Sequence, residues 1–517
     1  MSKRQRWATK TGLILALAGN AIGLGNFLRF PVQAAQNGGG AFMIPYFVAL
    51  LVIGIPLMWV ECSIGRMGGR HGYGHSAGMI HLIWRHPAAK YVGALGLFIP
   101  FIIALYYTYI TSWCLAFSIF SLTGSYEGLT TRAEMGAFLS AFQGIDPNEH
   151  FGSLASAYLA YLFTLAFTVL VLMGGVARGI ERLAKTAIPL LFLIGFFLVV
   201  RVLTLGTPDP QNPEWNVSTG LGFVWNPQFD SLGDPTVWVN AAGQIFFTLS
   251  IGWGIIHTYV SYLREDDDVA LTGMSTVGVN ELAEVVLGGT IALTAAVAFF
   301  GIPGTQEIAA GGGFDLGFQA MPVIFQRIPL GSIIGSLWFL LLFFGGITSA
   351  VAMGQPMIAL IEEGWGIHRR RAAMMLGIVM FTLTQPIIFL QRYGFLDEID
   401  YWVGTLALVV FALFEVVLFG WVFGIDRGWR EIERGAQIRP TRLFRPIIKY
   451  VTPGFLLTIL VWWAVTDLPA KLSMEGVSES ARSSVLGARL MIVAVFAAIA
   501  LLVRSASRSW DSSGEPR

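Results

Sequence analysis

The chain has 517 residues, of which 55% are hydrophobic and 13% are charged, and its formal net charge is +1 at pH 7. Soluble domains carry about 25% charged residues, so this composition excludes an ordinary water-soluble globule. The near-zero net charge argues against nucleic acid as a partner, and the two cysteines, Cys62 and Cys114, give no disulfide framework.

The first apolar segment follows a basic stretch and continues to about residue 35. Because it contains Asn20, Asn26 and Arg29, we interpret it as a retained membrane span rather than a cleaved signal peptide. A membrane helix needs about 20 predominantly apolar residues. The apolar runs therefore predict an all-α integral membrane protein that forms one domain over residues 1–517. Twelve spans are predicted, at 11–35, 41–66, 88–122, 156–175, 181–204, 237–263, 270–300, 332–362, 372–390, 396–423, 446–466 and 486–504.

Lysine and arginine are concentrated in alternate connections between the predicted spans. They are frequent after predicted spans two, four, eight and ten, whereas residues 205–236 contain none. The acidic stretch 264–268 is an exception to this pattern. Because cytoplasmic connections carry the excess of basic residues, we expect both termini in the cytoplasm. With no targeting signal in the sequence, we expect a bacterial inner membrane as the location.

Predicted spans one and six are unusual because flexible and polar residues interrupt them. Span one contains GNAIGLGN at 19–26, and span six contains TLSIGWG at 248–254. Each glycine lowers helix stability by about 1 kcal/mol relative to alanine, and backbone groups freed inside a membrane must find new partners. Interruptions at matching positions predict a five-plus-five inverted repeat (about 11–204 and 237–423, with two extra helices at about 446–504) and a binding site at the midplane. Close helix packing through Gly19 and Gly23 is the alternative.

The sequence also resembles a known family over nearly its whole length. The stretch WATKTGLILALAGNAIGLGNFLRFPVQAAQNGGGAF at 7–42 is similar to the first span of the neurotransmitter:sodium symporter family, in particular its bacterial leucine transporter-like branch. Similar stretches follow in order: IALYYTYI at 103–110, GQIFFTLSIGWG at 243–254, NELAEV at 280–285 and FFGGITSA at 343–350. The resemblance implies a twelve-helix fold with interrupted helices one and six, and sodium-coupled amino acid symport by alternating access.

The resemblance implies two sodium sites built from oxygen ligands. The first would combine the substrate carboxylate with the Ala21 carbonyl and the side chains of Asn26, Thr248 and Asn280. The second would combine three carbonyls and two hydroxyls, those of Gly19, Ile22, Gly345, Thr348 and Ser349. Taken alone, the last two hydroxyls would be interpreted as bonded back to carbonyls of their own helix.

The resemblance also implies a central amino acid site. The amides of Gly23 and Gly25 and the Tyr107 hydroxyl would hold the carboxylate, helped by the dipole of a half-helix. The ammonium would be held by Ala21, Phe247, Thr248 and Ser250, and the side-chain pocket would be lined by Ile103, Tyr107, Phe247, Ser250, Trp253, Ser349 and Met353. The indole of Trp253 takes up volume, and overpacking a fitted site costs about 1–3 kcal/mol. A small substrate such as alanine or glycine is therefore favoured over leucine or tryptophan.

A gate on each side of the site is a further implication. The outer gate would pair Arg29 with Asp400, with Gln244 beside them, Tyr107 and Phe247 as a lid, and Phe314 above. The inner gate would pair Arg4 with Glu363, supported by Trp7, Ser261 and Tyr262. Exposed ion pairs contribute less than about 1 kcal/mol each, which suits gates that open in every cycle.

Glu284 lies four residues after Asn280, so both face the same side of predicted span seven. Chloride-dependent members of the family have a small polar residue here. The resemblance therefore implies that a built-in carboxylate replaces chloride as charge compensation, and that transport is chloride-independent. A structural carboxylate bonded within the bundle is the alternative, and it is the preferred interpretation for Glu61.

The preferred hypothesis is that the protein is a sodium-coupled symporter of a small neutral amino acid. We do not expect it to be an enzyme. His71, His75 and His81 share one connection without metal-like spacing, and we expect them to be solvated. The alternatives are symport of a larger hydrophobic amino acid and an amino acid sensor on a transporter scaffold. The expected partners are the amino acid, two sodium ions and the lipid bilayer, and a homodimer is left open.

Overall fold

The computed structural model describes residues 5–510, and within this range the regular elements are helices, with no β-strand. Arg4, predicted at the inner gate, lies outside the described residues. The membrane helices and half-helices are α1 Lys10–Ala21, α2 Gly25–Gln36, α3 Gly39–Arg70, α4 Ala89–Thr123, α5 Ala155–Met173, α6 Val176–Leu203, α7 Pro235–Leu249, α8 Ile255–Val260, α9 Val269–Ala310, α10 Gly331–Trp365, α11 Arg369–Phe389, α12 Phe395–Val422, α13 Phe444–Thr466 and α14 Glu479–Ala506.

In the described part of the chain, ten helices are each long and apolar enough to cross a membrane, and the bent pair α1–α2 adds an eleventh candidate. The helices α7 and α8 occupy predicted span six, but they have only 15 and 6 residues. The prediction of an all-helical membrane protein is confirmed. The count of twelve spans and the inverted repeat stay predictions.

The first predicted interruption lies between α1 and α2. Helix α1 ends at Ala21, Ile22 has an extended backbone, and α2 begins at Gly25 with its axis bent by 48°. Glycine and asparagine have low helix propensity, which lets the chain leave the helix in this stretch. The backbone groups freed there are available to side chains of other helices.

The second interruption lies between α7 and α8. Ser250, Gly252 and Gly254 have φ angles of 51°, 74° and 78°, in the left-handed region. A Cβ on Gly254 would lie 2.3 Å from the carbonyl oxygen of Gly96, so this position needs glycine for close approach to α4 as well as for its φ. The Ser250 hydroxyl donates to the Asn20 carbonyl at 3.2 Å, which joins the two interruptions.

Burial differs strongly between the helices. In α4, 94% of the most apolar stretch is buried, whereas in α13 and α14 the value is 22%. Helix α4 packs along α10 in the centre of the molecule, while α13 and α14 present apolar side chains outward. The residues predicted for the sodium and amino acid sites lie on α1, α2, α4, α7, α9 and α10 and in the two interruptions, and most of them are buried.

Short helices lie in the connections between the membrane helices, among them Ser76–Ile83, Arg132–Phe142, Val217–Trp225, Gly312–Asp315, Met321–Gln326, Ile425–Glu433 and Leu468–Ser473. Arg132 donates to Asp315 at 2.6 Å and to Glu307 at 3.1 Å, and its hydrogen bond to Asp315 raises the pKa of Arg132. Thr131 and Glu134 form a capping box on the same helix, and the hydrogen bond from the Thr131 backbone lowers the pKa of Glu134. These contacts fix the connecting segments over the buried helices.

Candidate functional site

A first cluster of polar side chains lies where α2, α7 and α9 meet. The Asn26 amide nitrogen donates to Thr248 Oγ1 at 3.1 Å, to Asn280 Oδ1 at 2.9 Å and to Glu284 Oε2 at 3.0 Å. The Asn280 amide in turn donates to Thr248 Oγ1 at 2.9 Å. All four residues are at most 1% exposed. The structure therefore brings together side chains that are more than 200 positions apart in the chain.

The Asn26 amide nitrogen is surrounded by more oxygen acceptors than it has hydrogens to donate. An amide nitrogen carries two hydrogens, yet Asn26 Nδ2 faces three oxygen acceptors, one of them a carboxylate. Asn26 Oδ1 is turned toward the Gly23 N–H at 2.8 Å, and Ala21 is buried at the end of α1. Amide, hydroxyl and carboxylate oxygens are the ligands that hard cations prefer. The residues present fit the predicted first sodium site.

A second oxygen cluster joins α10 to the interruption in span one. The Ser349 hydroxyl lies 3.2 Å from the Gly19 carbonyl, 3.1 Å from the Asn20 carbonyl and 3.1 Å from the Gly345 carbonyl. The Ile22 carbonyl oxygen lies 3.3 Å from where a Cβ on Gly345 would stand. One hydroxyl hydrogen cannot serve three carbonyls. Carbonyl and hydroxyl oxygens of the kind gathered here are ligands that hard cations prefer.

Thr348, also predicted in the second sodium site, is oriented differently. Its hydroxyl donates to the Phe344 and Gly345 carbonyls of its own helix, both at 3.0 Å. This is the back-bonded conformation that the sequence left as the alternative. The Thr348 Cβ nevertheless lies 3.2 Å from where a Cβ on Gly19 would stand, so the residue borders the cluster.

Glu284 brings a fully buried carboxylate into the first cluster. Besides the Asn26 amide, it accepts a hydrogen bond from the Gln244 amide at 2.9 Å. Gln244, expected beside the outer gate, therefore contacts Glu284. A second carboxylate, Glu281, accepts a hydrogen bond from the Tyr46 hydroxyl at 2.9 Å. Two buried carboxyl groups thus lie in or beside the oxygen cluster.

The predicted carboxylate end of the amino acid site lies between the interruption in span one and α4. The Tyr107 hydroxyl accepts a hydrogen bond from the Leu24 N–H at 2.9 Å. A Cβ on Gly23 would lie 2.4 Å from the Tyr107 hydroxyl oxygen, and a Cβ on Gly25 would lie 2.7 Å from the Phe247 ring. Glycine at both positions therefore allows the two aromatic side chains to approach the backbone.

The predicted side-chain end of the site is crowded. Trp253 is 2% exposed, and its ring centroid lies 5.8 Å from that of Phe247 in an edge-to-face arrangement. Ile103 and Met353 are also buried, at 0% and 2% exposure. Within residues 5–510, the Trp253 indole N–H has no hydrogen-bond partner. Large side chains thus occupy the predicted pocket wall.

Arg29 and Asp400 face the same outer cavity but, among the residues described, do not form an ion pair with each other. The Arg29 guanidinium lies 4.7 Å from the centroid of the Phe247 ring and donates to the Gly243 carbonyl at 3.3 Å. Asp400 accepts a hydrogen bond from the Tyr106 hydroxyl at 2.5 Å. The expected direct pair is therefore not formed in this conformation, because an aromatic face and a phenol satisfy the two charges separately.

The cavity that both residues line has a volume of about 350 Å³. Its lining includes the predicted residues Gly25, Arg29, Tyr107, Phe247, Phe314 and Asp400. It also includes Tyr106 and Asp397, which the sequence analysis did not identify. The outer gate residues thus border one cavity above the aromatic lid.

The predicted inner gate residues Trp7 and Tyr262 contact neighbouring elements. The Trp7 indole donates to the Tyr259 carbonyl at 2.8 Å and packs edge-to-face on that ring. The Tyr262 hydroxyl accepts from the Gln355 amide at 2.7 Å, which joins it to α10. Ser261 donates to a carbonyl of its own segment. The N-terminal segment is thus tied to the end of α8.

Glu363, the predicted partner of Arg4, accepts a hydrogen bond from the Gly74 N–H at 2.9 Å. Its carboxylate also lies 3.6 Å from His75 Nε2. His75 is 1% exposed and packs against Trp510, so the expectation that it is solvated is wrong. The aromatic side chain that covers it is 435 residues away in the chain, and local composition gives no sign of such a contact.

Comparison with known proteins identifies the family. The family model "Sodium:neurotransmitter symporter family" matches residues 4–132 and 135–508. The chain belongs to this family. An uncharacterised sodium-dependent transporter of Methanocaldococcus jannaschii is 30% identical over 466 residues, which are 89% of this chain and 90% of that protein.

A vertebrate relative and a solved structure are also similar to this sodium:neurotransmitter symporter. The sodium- and chloride-dependent glycine transporter 2 of Xenopus laevis is 25% identical over 88% of this chain and 64% of that longer protein. The crystal structure of MhsT in complex with L-phenylalanine is similar with a TM-score of 0.75 and 27% identity, over 89% of this chain and 99% of that one. The protein is therefore a sodium-dependent, multi-pass membrane transporter with the fold of that neighbour, and not an enzyme.

Proposed function

We propose that this protein carries a small neutral amino acid, alanine or glycine in particular, inward across a bacterial inner membrane together with two sodium ions. Transport proceeds by alternating access and without chloride, and both termini lie in the cytoplasm. The observation that carries the proposal is the buried carboxylate of Glu284 in an oxygen-rich cluster formed by Asn26, Thr248 and Asn280. A fixed negative charge there balances a bound cation without an added anion.

Coupling between the amino acid and sodium follows from shared atoms. Gly23, whose amide is expected to meet the substrate carboxylate, donates its N–H to Asn26 of the first cluster at 2.8 Å. A substrate carboxylate at this point adds a further oxygen ligand to the cation. Each ligand then raises the affinity of the other by the same factor.

The driving force is sufficient for accumulation. One charge crossing 100 mV releases about 2.3 kcal/mol, and a tenfold sodium gradient adds about 1.4 kcal/mol. Two sodium ions then supply roughly 7 kcal/mol, enough to concentrate a zwitterion more than a thousandfold.

The preference for a small side chain rests on Trp253. The indole is buried against Phe247, and Ile103 and Met353 close the same region. A larger ligand has to displace these groups, at a cost of about 1–3 kcal/mol. The similarity to a glycine transporter supports this choice.

A larger hydrophobic amino acid is the second candidate. MhsT, which is similar over 99% of its own chain, was solved in complex with L-phenylalanine. Met353 is unbranched and flexible, so it can move aside for a larger ligand.

Competition binding to the purified protein in sodium separates the two candidates. Labelled alanine is displaced by unlabelled alanine, glycine, leucine, phenylalanine or tryptophan, in chloride and again in gluconate. Tightest competition by alanine or glycine, unchanged in gluconate, supports the proposal. Tightest competition by phenylalanine or tryptophan favours the second candidate, and binding that needs chloride contradicts the role of Glu284.

A further inference from the structure

Three ionisable side chains meet in the interior, apart from the oxygen clusters described above. Glu61 on α3, His257 on α8 and Glu415 on α12 are each 0% exposed, and one ligand atom from each lies within 4.8 Å of the others. His257 Nε2 lies 3.4 Å from Glu415 Oε1. The triad thus joins three helices that are far apart in the sequence.

The triad has unmet hydrogen-bonding capacity. Glu61 Oε1 accepts the Gly252 N–H at 2.6 Å. Within residues 5–510, Glu61 Oε2, both ring nitrogens of His257 and both carboxylate oxygens of Glu415 have no hydrogen-bond partner. Buried polar atoms usually have hydrogen-bond partners in native proteins, so this cluster has free capacity to hold a proton.

Within residues 5–510, no lysine or arginine forms an ion pair with Glu61 or Glu415. The ionisable group next to Glu61 in the chain is the buried thiol of Cys62, and Arg66, one turn further along α3, is paired with Glu431 at 3.0 Å. The face of His257 toward α12 carries the Phe411 ring, at 6.3 Å between centroids. Two ionised carboxylates in this interior need a cation, because an uncompensated buried charge is strongly destabilising.

The geometry favours a proton over a metal ion as that cation. The triad offers three protein ligands, and one oxygen of Glu61 is already used by the Gly252 amide. A structural zinc site takes four ligands in a closed tetrahedron. A proton needs only one donor and one acceptor, and His257 and Glu415 stand close enough to share it.

The triad is attached to the interruption in span six. Gly252 lies in that interruption, Trp253 follows it at the amino acid site, and His257 lies on the half-helix α8. Glu61 and Glu415 lie on α3 and α12, so a movement of α8 against these helices separates His257 from its neighbours.

We propose that Glu61, His257 and Glu415 bind one exchangeable proton and release it when α8 moves, so that transport is linked to protons as well as to sodium. The proton comes from water, forms an O–H bond on Glu415 beside His257, and returns to water when the two residues separate. This linkage rests on the proposed transport function, whereas proton binding itself does not.

Infrared difference spectroscopy of the purified protein tests proton binding without any transport. A carboxylic acid C=O band is expected at neutral pH, shifted by deuterium exchange and lost in Glu415→Gln. The thermal stability of the wild type is expected to fall as pH rises above about 6.5, because the unfolded histidine and glutamates are then deprotonated while the folded triad still holds its proton. Fully ionised carboxylates, or a stoichiometric metal ion found by elemental analysis, would overturn the proposal.

Sodium-driven uptake at varied pH tests the linkage. The wild-type rate is expected to change with pH by up to about tenfold per unit, the limit for one linked proton. His257→Gln is expected to keep sodium-driven uptake and to lose this dependence, while the exposed-loop control His71→Gln keeps both. Equal pH dependence in all three proteins contradicts the linkage. If the wild type takes up no amino acid at all, the proposed function is refuted. The infrared experiment then still tests the proton site, because it does not depend on transport.

Discussion

In the proposed binding mode the amino acid carboxylate lies against the backbone at Gly23, and Gly23→Ala tests this directly. The added Cβ would lie 2.4 Å from the Tyr107 hydroxyl oxygen and 3.1 Å from the Ser349 hydroxyl oxygen. Ordinary contact begins at 3.4 Å, so the Tyr107 hydroxyl has to retreat by about 1 Å. Tyr107 is only 4% exposed, and its hydroxyl also accepts the Leu24 N–H, so little room exists for this movement.

The expected loss of affinity follows from these distances. Overpacking a fitted site costs about 1–3 kcal/mol. Since each 1.4 kcal/mol is a factor of ten in affinity, Gly23→Ala is expected to weaken amino acid binding by roughly 5- to 150-fold. Gly278→Ala is the matched control, because a Cβ on Gly278 meets nothing within 4 Å and the residue lies on α9, which also carries Asn280.

Equilibrium binding of labelled amino acid to the purified protein in sodium measures the effect, with thermal unfolding recorded for each variant. Tyr107→Phe removes the clashing oxygen and leaves Cζ at 3.6 Å from the new Cβ, an ordinary contact. In the Tyr107→Phe background, Gly23→Ala is therefore expected to lower the affinity for the amino acid much less than it does in the wild type. An unchanged affinity in Gly23→Ala, or equal costs in both backgrounds, would refute the assignment of the carboxylate site.

Three further predictions concern the cation clusters and the pocket. Glu284→Ser is expected to make sodium-dependent binding depend on chloride, measured by exchanging chloride for gluconate; binding that stays indifferent to the anion contradicts charge compensation. Asn26→Ala removes hydrogen bonds at 2.9, 3.0 and 3.1 Å, and leaving a buried polar group unpaired costs about 1–3 kcal/mol. The sodium concentration for half-maximal binding is therefore expected to rise by roughly 5- to 150-fold, and an unchanged sodium titration would argue against this site. Trp253→Phe enlarges the pocket and is expected to raise the affinity for leucine relative to that for alanine by about 10- to 200-fold in competition binding. An unchanged ratio of the two affinities would show that Trp253 does not limit substrate size.

The sequence predicts the interruptions well because their cause is local. Glycines and asparagines at 19–26 and glycines at 252 and 254 weaken the helix wherever the rest of the chain lies. The structure ends α1 at Ala21 and α7 at Leu249, next to those residues. The residues of the oxygen clusters can likewise be predicted from the sequence, because sodium needs hard oxygen ligands and few residue types supply them in a membrane helix.

What the sequence does not predict depends on tertiary contacts. Tyr106 and Tyr107 are adjacent on α4, yet one bonds Asp400 and the other the Leu24 amide, because neighbouring helix positions point in different directions. His75 lies in a polar connection, but Trp510 covers it. The triad of buried ionisable groups comes from three helices, and no spacing in the chain relates them.

Sodium-driven accumulation in proteoliposomes tests the central claim most directly. Purified protein is reconstituted with sodium outside and potassium inside, in gluconate, and uptake of labelled alanine and labelled sodium is followed together. Symport predicts that alanine accumulates above its outside concentration, that sodium enters with alanine in a fixed ratio, and that a sodium ionophore abolishes both. Sodium-dependent binding without accumulation of any amino acid would contradict symport and favour a sensor built on the same scaffold.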